Sequence, residues 1–371
     1  MWRSSLWKGL LIVVLFPFIG GYGEAVPAEK VSGVLGIHVL DVGQADCIIV
    51  QSPGGKTLVV DVGEDRLQPG KEAEVFYQYL RDRLHKYVID HLLITHYHED
   101  HMGWPREVSP TGLFYLHTLP GLRIKKVIDR GLGVVSDSLL CQRYKEWTEA
   151  TGLRREAITF KPTEAGQIDL GEGVHVDVIA FNSQFDRTGK AVISGAEEQH
   201  QASEHNFSIV FVLHYGRFDM YFGGDICGFD SPPFYNVEER FLPRLKEVEV
   251  CKVSDHGSNL ASRHELLEVL RPEVSIISCG RGYGLPTKET VEKLLGYRDP
   301  ASGKPLGSDI YQTGGEDGYF LPRPFPSTKK TQTITKGPIV IETDGKESYW
   351  IGYGKEKREY LLDDLPPYRN Q

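Results

Sequence analysis

The residues best suited to chemistry lie in Thr95-His96-Tyr97-His98-Glu99-Asp100-His101, where three imidazoles and two carboxylates fall within six residues. On extended backbone His96 and His98 project the same way, because side chains alternate with period two. Asp100 and His101 follow at a bend and can reach a second point nearby. Imidazole and carboxylate donors at this density suit Zn²⁺ first, with Mn²⁺ or Fe as weaker candidates. A metal-free histidine loop is the poorer reading, since buried imidazoles without partners are costly.

The cluster needs a rigid strand to present it, and the apolar run His91-Leu92-Leu93-Ile94 leads straight into it. Three strand-like segments come earlier, at 36–40, 47–51 and 57–60, with the turn residues Pro53-Gly54-Gly55-Lys56 between the last two. Phe76, Leu80, Leu84 and Tyr87 recur at helical spacing across 71–86. Residues 105–170 read as turns and polar connections lying over the rim, with a helix at 139–151, and 174–179 reads as a strand. A long polar loop is expected at 183–205, then a hairpin of 208–213 with 218–222 around Tyr215-Gly216. Helices near 237–245 and 262–270 alternate with strands at 249–253 and 275–278, and a hairpin of 338–343 with 348–353 turns at Asp344-Gly345. From Lys355 onward the chain is charged and reads as a loosely attached tail, residues 355–371. Strands first and then alternating helices and strands suggest one layered α/β domain.

Four further short motifs accompany the histidines: Asp41-Val42-Gly43-Gln44-Ala45-Asp46, Asp61-Val62-Gly63, Gly223-Gly224-Asp225 and Asp255-His256-Gly257-Ser258. In this order the set resembles the metallo-β-lactamase superfamily, whose signature is H-x-H-x-D-H. Within it, the neighbouring motifs resemble the metallo-hydrolase domain of ComEC-type DNA-uptake proteins and their free-standing secreted relatives. The resemblance runs from about Gly36 to Tyr353. It implies a four-layer αββα sandwich in a single domain at 34–354, with two ions, zinc or alternatively manganese. His96 and His98 would hold one cation; Asp100, His101 and His256 would hold the other; Asp225 would bridge them. Asp61 would lie on the floor of the site. His205 is the nearest counterpart of a third imidazole on the first cation. Asp100 and Asp225 are the implied proton relays for a metal-bound hydroxide.

Two positions depart from the family pattern. Asp255 stands where relatives usually carry His, which places an anion beside the metals. Leu285, in Tyr283-Gly284-Leu285-Pro286, replaces a His at the substrate rim.

Composition bounds the partners. The 371 residues carry 51 acidic and 42 basic groups for a net charge of −9, and 40% are hydrophobic, enough for a real core. This excludes disorder, collagen-like repeats and a polytopic membrane protein. The acidic balance disfavours a nucleic-acid substrate relative to a small or short phosphoester, because gripping long DNA needs a basic footprint. Lys125, Lys126, Arg130 and Arg143 offer at most a modest basic rim, and a solvated face is the commoner outcome.

Residues 1–28 read as a secretory signal: Arg3 and Lys8, an apolar stretch at 9–21, and small residues at Gly23, Ala25 and Ala28. That stretch, interrupted by Pro17, falls short of the ~20 residues a bilayer span needs. A secreted or periplasmic protein with no stable membrane span after cleavage is therefore expected. The five cysteines cannot all pair; Cys47, Cys251 and Cys279 sit in apolar runs, while Cys141 and Cys227 leave pairing open. The function expected is a secreted metal-dependent hydrolase of phosphodiesters or related esters. The alternative is an exported metal-binding accessory or recognition protein with little turnover.

Overall fold

The computed structural model describes residues 33–66, 72–134, 139–160, 167–171 and 173–362. The signal-like stretch at 1–28 lies outside the described residues. In chain order the strands are β1 Leu35–Val39, β2 Ile48–Gln51, β3 Thr57–Val60, β4 Val88–Ile89, β5 His91–Leu93, β6 Arg123–Ile124, β7 Val127–Asp129, β8 Arg155–Ala157 and β9 Val174–Ala180. They continue with β10 Val210–Tyr215, β11 Phe218–Phe222, β12 Val250–Lys252, β13 Val274–Ile277, β14 Asp309–Gln312, β15 Gln332–Ile334, β16 Ile339–Thr343, β17 Ser348–Tyr353 and β18 Glu356–Leu361. A nine-stranded sheet has the order β18-β17-β16-β1-β2-β3-β5-β7-β8, and a seven-stranded sheet the order β15-β14-β13-β12-β11-β10-β9.

Strand alternation sorts the apolar side chains into layers. Leu58 and Val60 of β3 and Leu93 of β5 point between the sheets, where they join Phe211, Leu213, Phe222 and Val250. Their neighbours Val59, Leu92 and Ile94 face the other way, against Phe76, Leu80, Phe114 and Tyr144. Those four come from helices Glu72–Asp82, Gly112–Leu116 and Leu139–Thr151. On the outer face of the second sheet, Val212, Tyr221 and Cys251 pack on Phe241, Leu266 and Leu270. Ile277 and Ile310 meet Val291 and Leu294 of helix Lys288–Gly296. The result is the expected αββα sandwich: a mixed α/β fold with two sheets flanked by helices. Among the described residues no helix is long and apolar enough to cross a membrane.

The structure corrects several readings. Residues 105–170 are not simply an excursion, because β7 and β8 extend the first sheet in parallel from β5. Both strands have three residues, too few to show a period. The polar stretch 183–205 contains a six-residue helix, Ala196–Gln201, with no buried residue, so no apolar face marks it. The charged tail is corrected as well: Glu356–Leu361 pairs antiparallel with β17, and the domain runs past 354 to the end of the described chain. There Tyr360 turns into the core while Lys357 and Arg358 pair with Glu342 and Asp309. Among the described residues the first and last strands thus share one sheet. All five cysteines are buried and free.

A titratable group sits at the far end of the second sheet from the histidines. Glu249 accepts the Asp219 amide at 2.6 Å, and burial, reinforced by Asp219 and Glu273, pushes its carboxyl up to about 8 from 4.5. A raised carboxyl costs nothing below the unfolded value and penalises the fold progressively as pH rises to the folded value. Glu249→Gln keeps the acceptor without the charge. Its thermal midpoint should match the parent near pH 4.5 and exceed it increasingly up to pH 8, at about 1.4 kcal/mol per pKa unit relieved. Equal midpoints at pH 8 would refute this.

Candidate metal centre

Strands β3, β5 and β7 run parallel in one sheet, and β11, β12 and β13 run parallel in the other. The ends of such strands are where an open α/β sheet offers a crevice. Asp61 follows β3, the histidine cluster follows β5, Asp225 follows β11, and Asp255-His256 follows β12. The turn after β3 closes tightly on the cluster. Val62 N donates to His101 O at 2.8 Å and Asp46 N to Asp100 O at 2.9 Å. Gly63 is required there, since a Cβ would lie 1.7 Å from the Asp100 carbonyl oxygen.

Of the four possible donor groups among the described residues, two hold the residues singled out in the sequence. His96, His98 and His205 bring one nitrogen each within 4.8 Å of one another, as do the donor atoms of Asp100, His101, Asp225 and His256. Asp225 stands between them: its Oδ2 is 3.1 Å from His101 Nε2, 3.7 Å from His256 Nε2 and 3.8 Å from both His96 Nε2 and His205 Nε2. All seven residues singled out in the sequence therefore converge, His205 among them.

Tautomers are set from outside the cluster. Asp61 Oδ2 accepts from His101 Nδ1 at 2.8 Å, and the Ser278 carbonyl accepts from His256 Nδ1 at 2.9 Å. Each bond keeps the Nδ1 proton in place, so that Nε2, once it gives up its own proton, turns a lone pair towards Asp225, the usual arrangement of a metal-binding imidazole. His256 Nε2, Asp225 Oδ1 and His205 Nδ1 are buried with no hydrogen-bond partner. Burial drives His96 well below the ordinary histidine value and His98 down to about 4, so both offer lone pairs. Burial also opposes charge on His101 and His256, but Asp225 and its neighbouring carboxylates outweigh it, lifting His101 well above the usual value and His256 to about 9. Burial would raise Asp225, yet His101 and His256 hold it well below the usual range. The cluster thus calls for positive charge. The donors present fit one or two divalent cations.

Asp61 lies on the floor of the site, behind His101, and also accepts from Thr95 N at 2.8 Å and Thr95 Oγ1 at 2.7 Å. Its φ of 58° is one that asparagine adopts readily. Asp61→Asn should therefore fold, yet bind the cation of the Asp100–His101–His256 group about 10–100-fold more weakly. Calorimetric titration reads this directly, and unchanged affinity would contradict it. Asp46 is buried against Lys252 Nζ at 2.9 Å, and the Gln44 side-chain oxygen accepts from Gly280 N. The opening loop therefore has a structural role. Arg130 is the clearest misreading: instead of a solvated rim it is fully buried, paired with Glu204 at 2.7 Å. Sequence reasoning missed Glu204 entirely, although it adjoins His205.

Residues 40–111 match the family model of the metallo-beta-lactamase superfamily. The match covers the opening loop, Asp61 and the histidine cluster, whereas His205, Asp225, Asp255 and His256 lie beyond it. The superfamily includes metal-dependent hydrolases. No curated protein matches the chain. Among solved structures, the metallo-beta-lactamase fold protein YhfI from Bacillus subtilis is 11% identical, with 76% of this chain and 98% of that one covered at a TM-score of 0.41. A diphosphatase of the PhnP family is 11% identical, with 74% and 94% covered and a TM-score of 0.36. A variant of the CmlA beta-hydroxylase of Streptomyces venezuelae is 16% identical, with 68% and 46% covered and a TM-score of 0.38. The chain thus spans less than half the length of CmlA.

Proposed function

We propose that this protein is an exported hydrolase of phosphodiesters or related esters, working at a two-cation centre of zinc or manganese. The observation that carries the proposal is the place of Asp225 Oδ2, 3.1–3.8 Å from imidazole nitrogens of both donor groups. Two divalent cations bound there would activate a water at neutral pH and stabilise both the attacking and the leaving oxygen. His96, His98 and His205 are the donors of one cation; Asp100, His101 and His256 are the donors of the other; Asp225 serves both. Asp100 Oδ2 lies 3.4 Å from His256 Nε2; against burial, His256 and His101 hold its carboxyl well below the usual range, so it can accept a proton from the attacking water. Asp61 and the Ser278 carbonyl hold the imidazoles in the donor tautomer throughout.

The substrate class rests on charge. A cleft of about 390 Å³ is lined by Asp41, Asp65, Glu72 and Glu316 against Arg281 and Lys336. None of its lining residues belongs to the imidazole groups; the preference for small or short esters over long nucleic acid follows from the net charge of −9. Export rests on the pattern in residues 1–28.

The test is metal content together with turnover of bis(p-nitrophenyl) phosphate and a panel of oligonucleotides, choline phosphoesters and lactones. Two cations per chain, with hydrolysis that is lost on chelation and restored by Zn²⁺ or Mn²⁺, are expected. Cations without turnover of any probe would favour the accessory reading, which Leu285 at the rim motivates. Absence of bound cations would overturn both.

A further inference from the structure

Asp255 stands outside the two donor groups described above, yet the backbone takes an unusual course to place it. Asp255 and His256 have φ of 50° and 49°, followed by Gly257 at 85°. Two successive left-handed residues with side chains are costly and persist only where the surroundings enforce them. Here Asp255 N donates to Gly224 O, Gly257 N to Ser254 O and Ser258 N to Asp255 O. On an extended strand end, neighbouring side chains would diverge. This turn instead puts His256 Nε2 at 3.7 Å from Asp225 Oδ2 and brings a carboxylate oxygen of Asp255 within 4.8 Å of donor atoms of both His205 and Asp225.

The carboxylate has little else to satisfy it. Asp255 is 8% exposed, and Ser258 Oγ donates to its Oδ2 at 2.5 Å. No lysine or arginine pairs with it among the described residues, so two buried carboxyl groups, Asp255 and Asp225, stand side by side. Such a pair is unfavourable unless a cation lies between or against them.

We propose that Asp255 is a ligand of the cation held by His96, His98 and His205, reaching it from the His205 side. The inference rests on the two-cation reading above and deepens it. With Asp225 and Asp255 the donor set becomes three imidazoles and two carboxylates. Zn²⁺ in protein sites favours four donors, whereas more oxygen donors and a higher coordination number suit Mn²⁺ or Fe²⁺. Asp255 is therefore the residue that sets which metal this half of the centre prefers.

The test uses the full mature chain, stripped with a chelator and titrated with Co²⁺ while the visible spectrum is followed. The parent should show weak d–d bands at this site, the mark of five or six donors. Asp255→Asn, which keeps the Ser258 contact, should bind one Co²⁺ roughly 10–100-fold more weakly and show stronger, tetrahedral-type bands, with the second cation's affinity unchanged. Asp255→Gly guards against a folding failure, because glycine takes a positive φ freely. It should raise the thermal midpoint of the metal-free protein while weakening the same site. Under equal Zn²⁺ and Mn²⁺, both variants should shift that site's occupancy towards Zn²⁺. Parent-like affinity, spectrum and metal choice in both variants would overturn the role of Asp255 and leave the two-cation centre standing. A parent that takes up no Co²⁺ would overturn the centre itself.

Discussion

Replacing Asp225 by asparagine is expected to leave at most one tightly bound cation and to lower phosphodiester turnover by roughly 10²–10³-fold, the size of losing one group that holds developing charge. The expectation follows from geometry. Asp225 Oδ2 approaches His101, His256, His96 and His205 within 3.8 Å, so one anionic atom serves both donor groups. An amide of the same shape keeps the packing but removes the charge that offsets repulsion between two cations. Other single substitutions among the donors should weaken one group and spare the other. Metal analysis and kcat on the same preparation check the pair of effects. Two cations and parent-like kcat in Asp225→Asn would remove the bridging role.

What the sequence made legible follows the range of the interaction. The histidine cluster is local: six consecutive residues after an apolar strand carry their chemistry in plain view. Helix Leu139–Thr151 and the hairpin at Asp344-Gly345 are local too, and the structure has both where spacing and turn chemistry put them. Asp225 and His256 lie far from the cluster, and only motif order linked them to it. Features set by distant partners were misread. Arg130 looks like one member of a basic run until Glu204, 74 residues on, accounts for its charge. Glu356–Leu361 looks like a charged tail until β17 supplies the ladder and the core receives Tyr360. Asp61 was placed on the floor of the site, and its bonds to His101 Nδ1 and Thr95 put it there, behind the imidazole.

The Arg130–Glu204 pair carries the second large effect, and it separates stability from function. Arg130 Nε and Nη2 donate to the two oxygens of Glu204 at 2.7 and 2.8 Å, both side chains fully buried. The guanidinium lies 4.3 Å from the Tyr97 ring centroid and 5.2 Å from that of Phe207. Glu204 also accepts from Tyr97 N at 2.9 Å. Tyr97 is the residue between His96 and His98, and Glu204 adjoins His205, so this one carboxylate ties together the backbone that presents all three imidazoles of the first donor group. Arg130→Met takes the guanidinium away from the buried Glu204 carboxylate and should cost about 3–5 kcal/mol, read as a lower thermal midpoint and a lower denaturant midpoint. Arg130→Met with Glu204→Leu removes both charges and should recover most of that loss, since an apolar pair of similar volume is often no worse than a buried ion pair. It should not recover the metal site, because the bond from Tyr97 N to Glu204 is then lost and with it the direct tie between His205 and the backbone of His96 and His98. First-group cation affinity should stay roughly 10–100-fold below the parent while the second group binds normally. A double variant that is stable and also binds both cations as the parent does would mean that the pair only supports the core. Stability regained without affinity would mean that the ion pair is retained for the site it aligns.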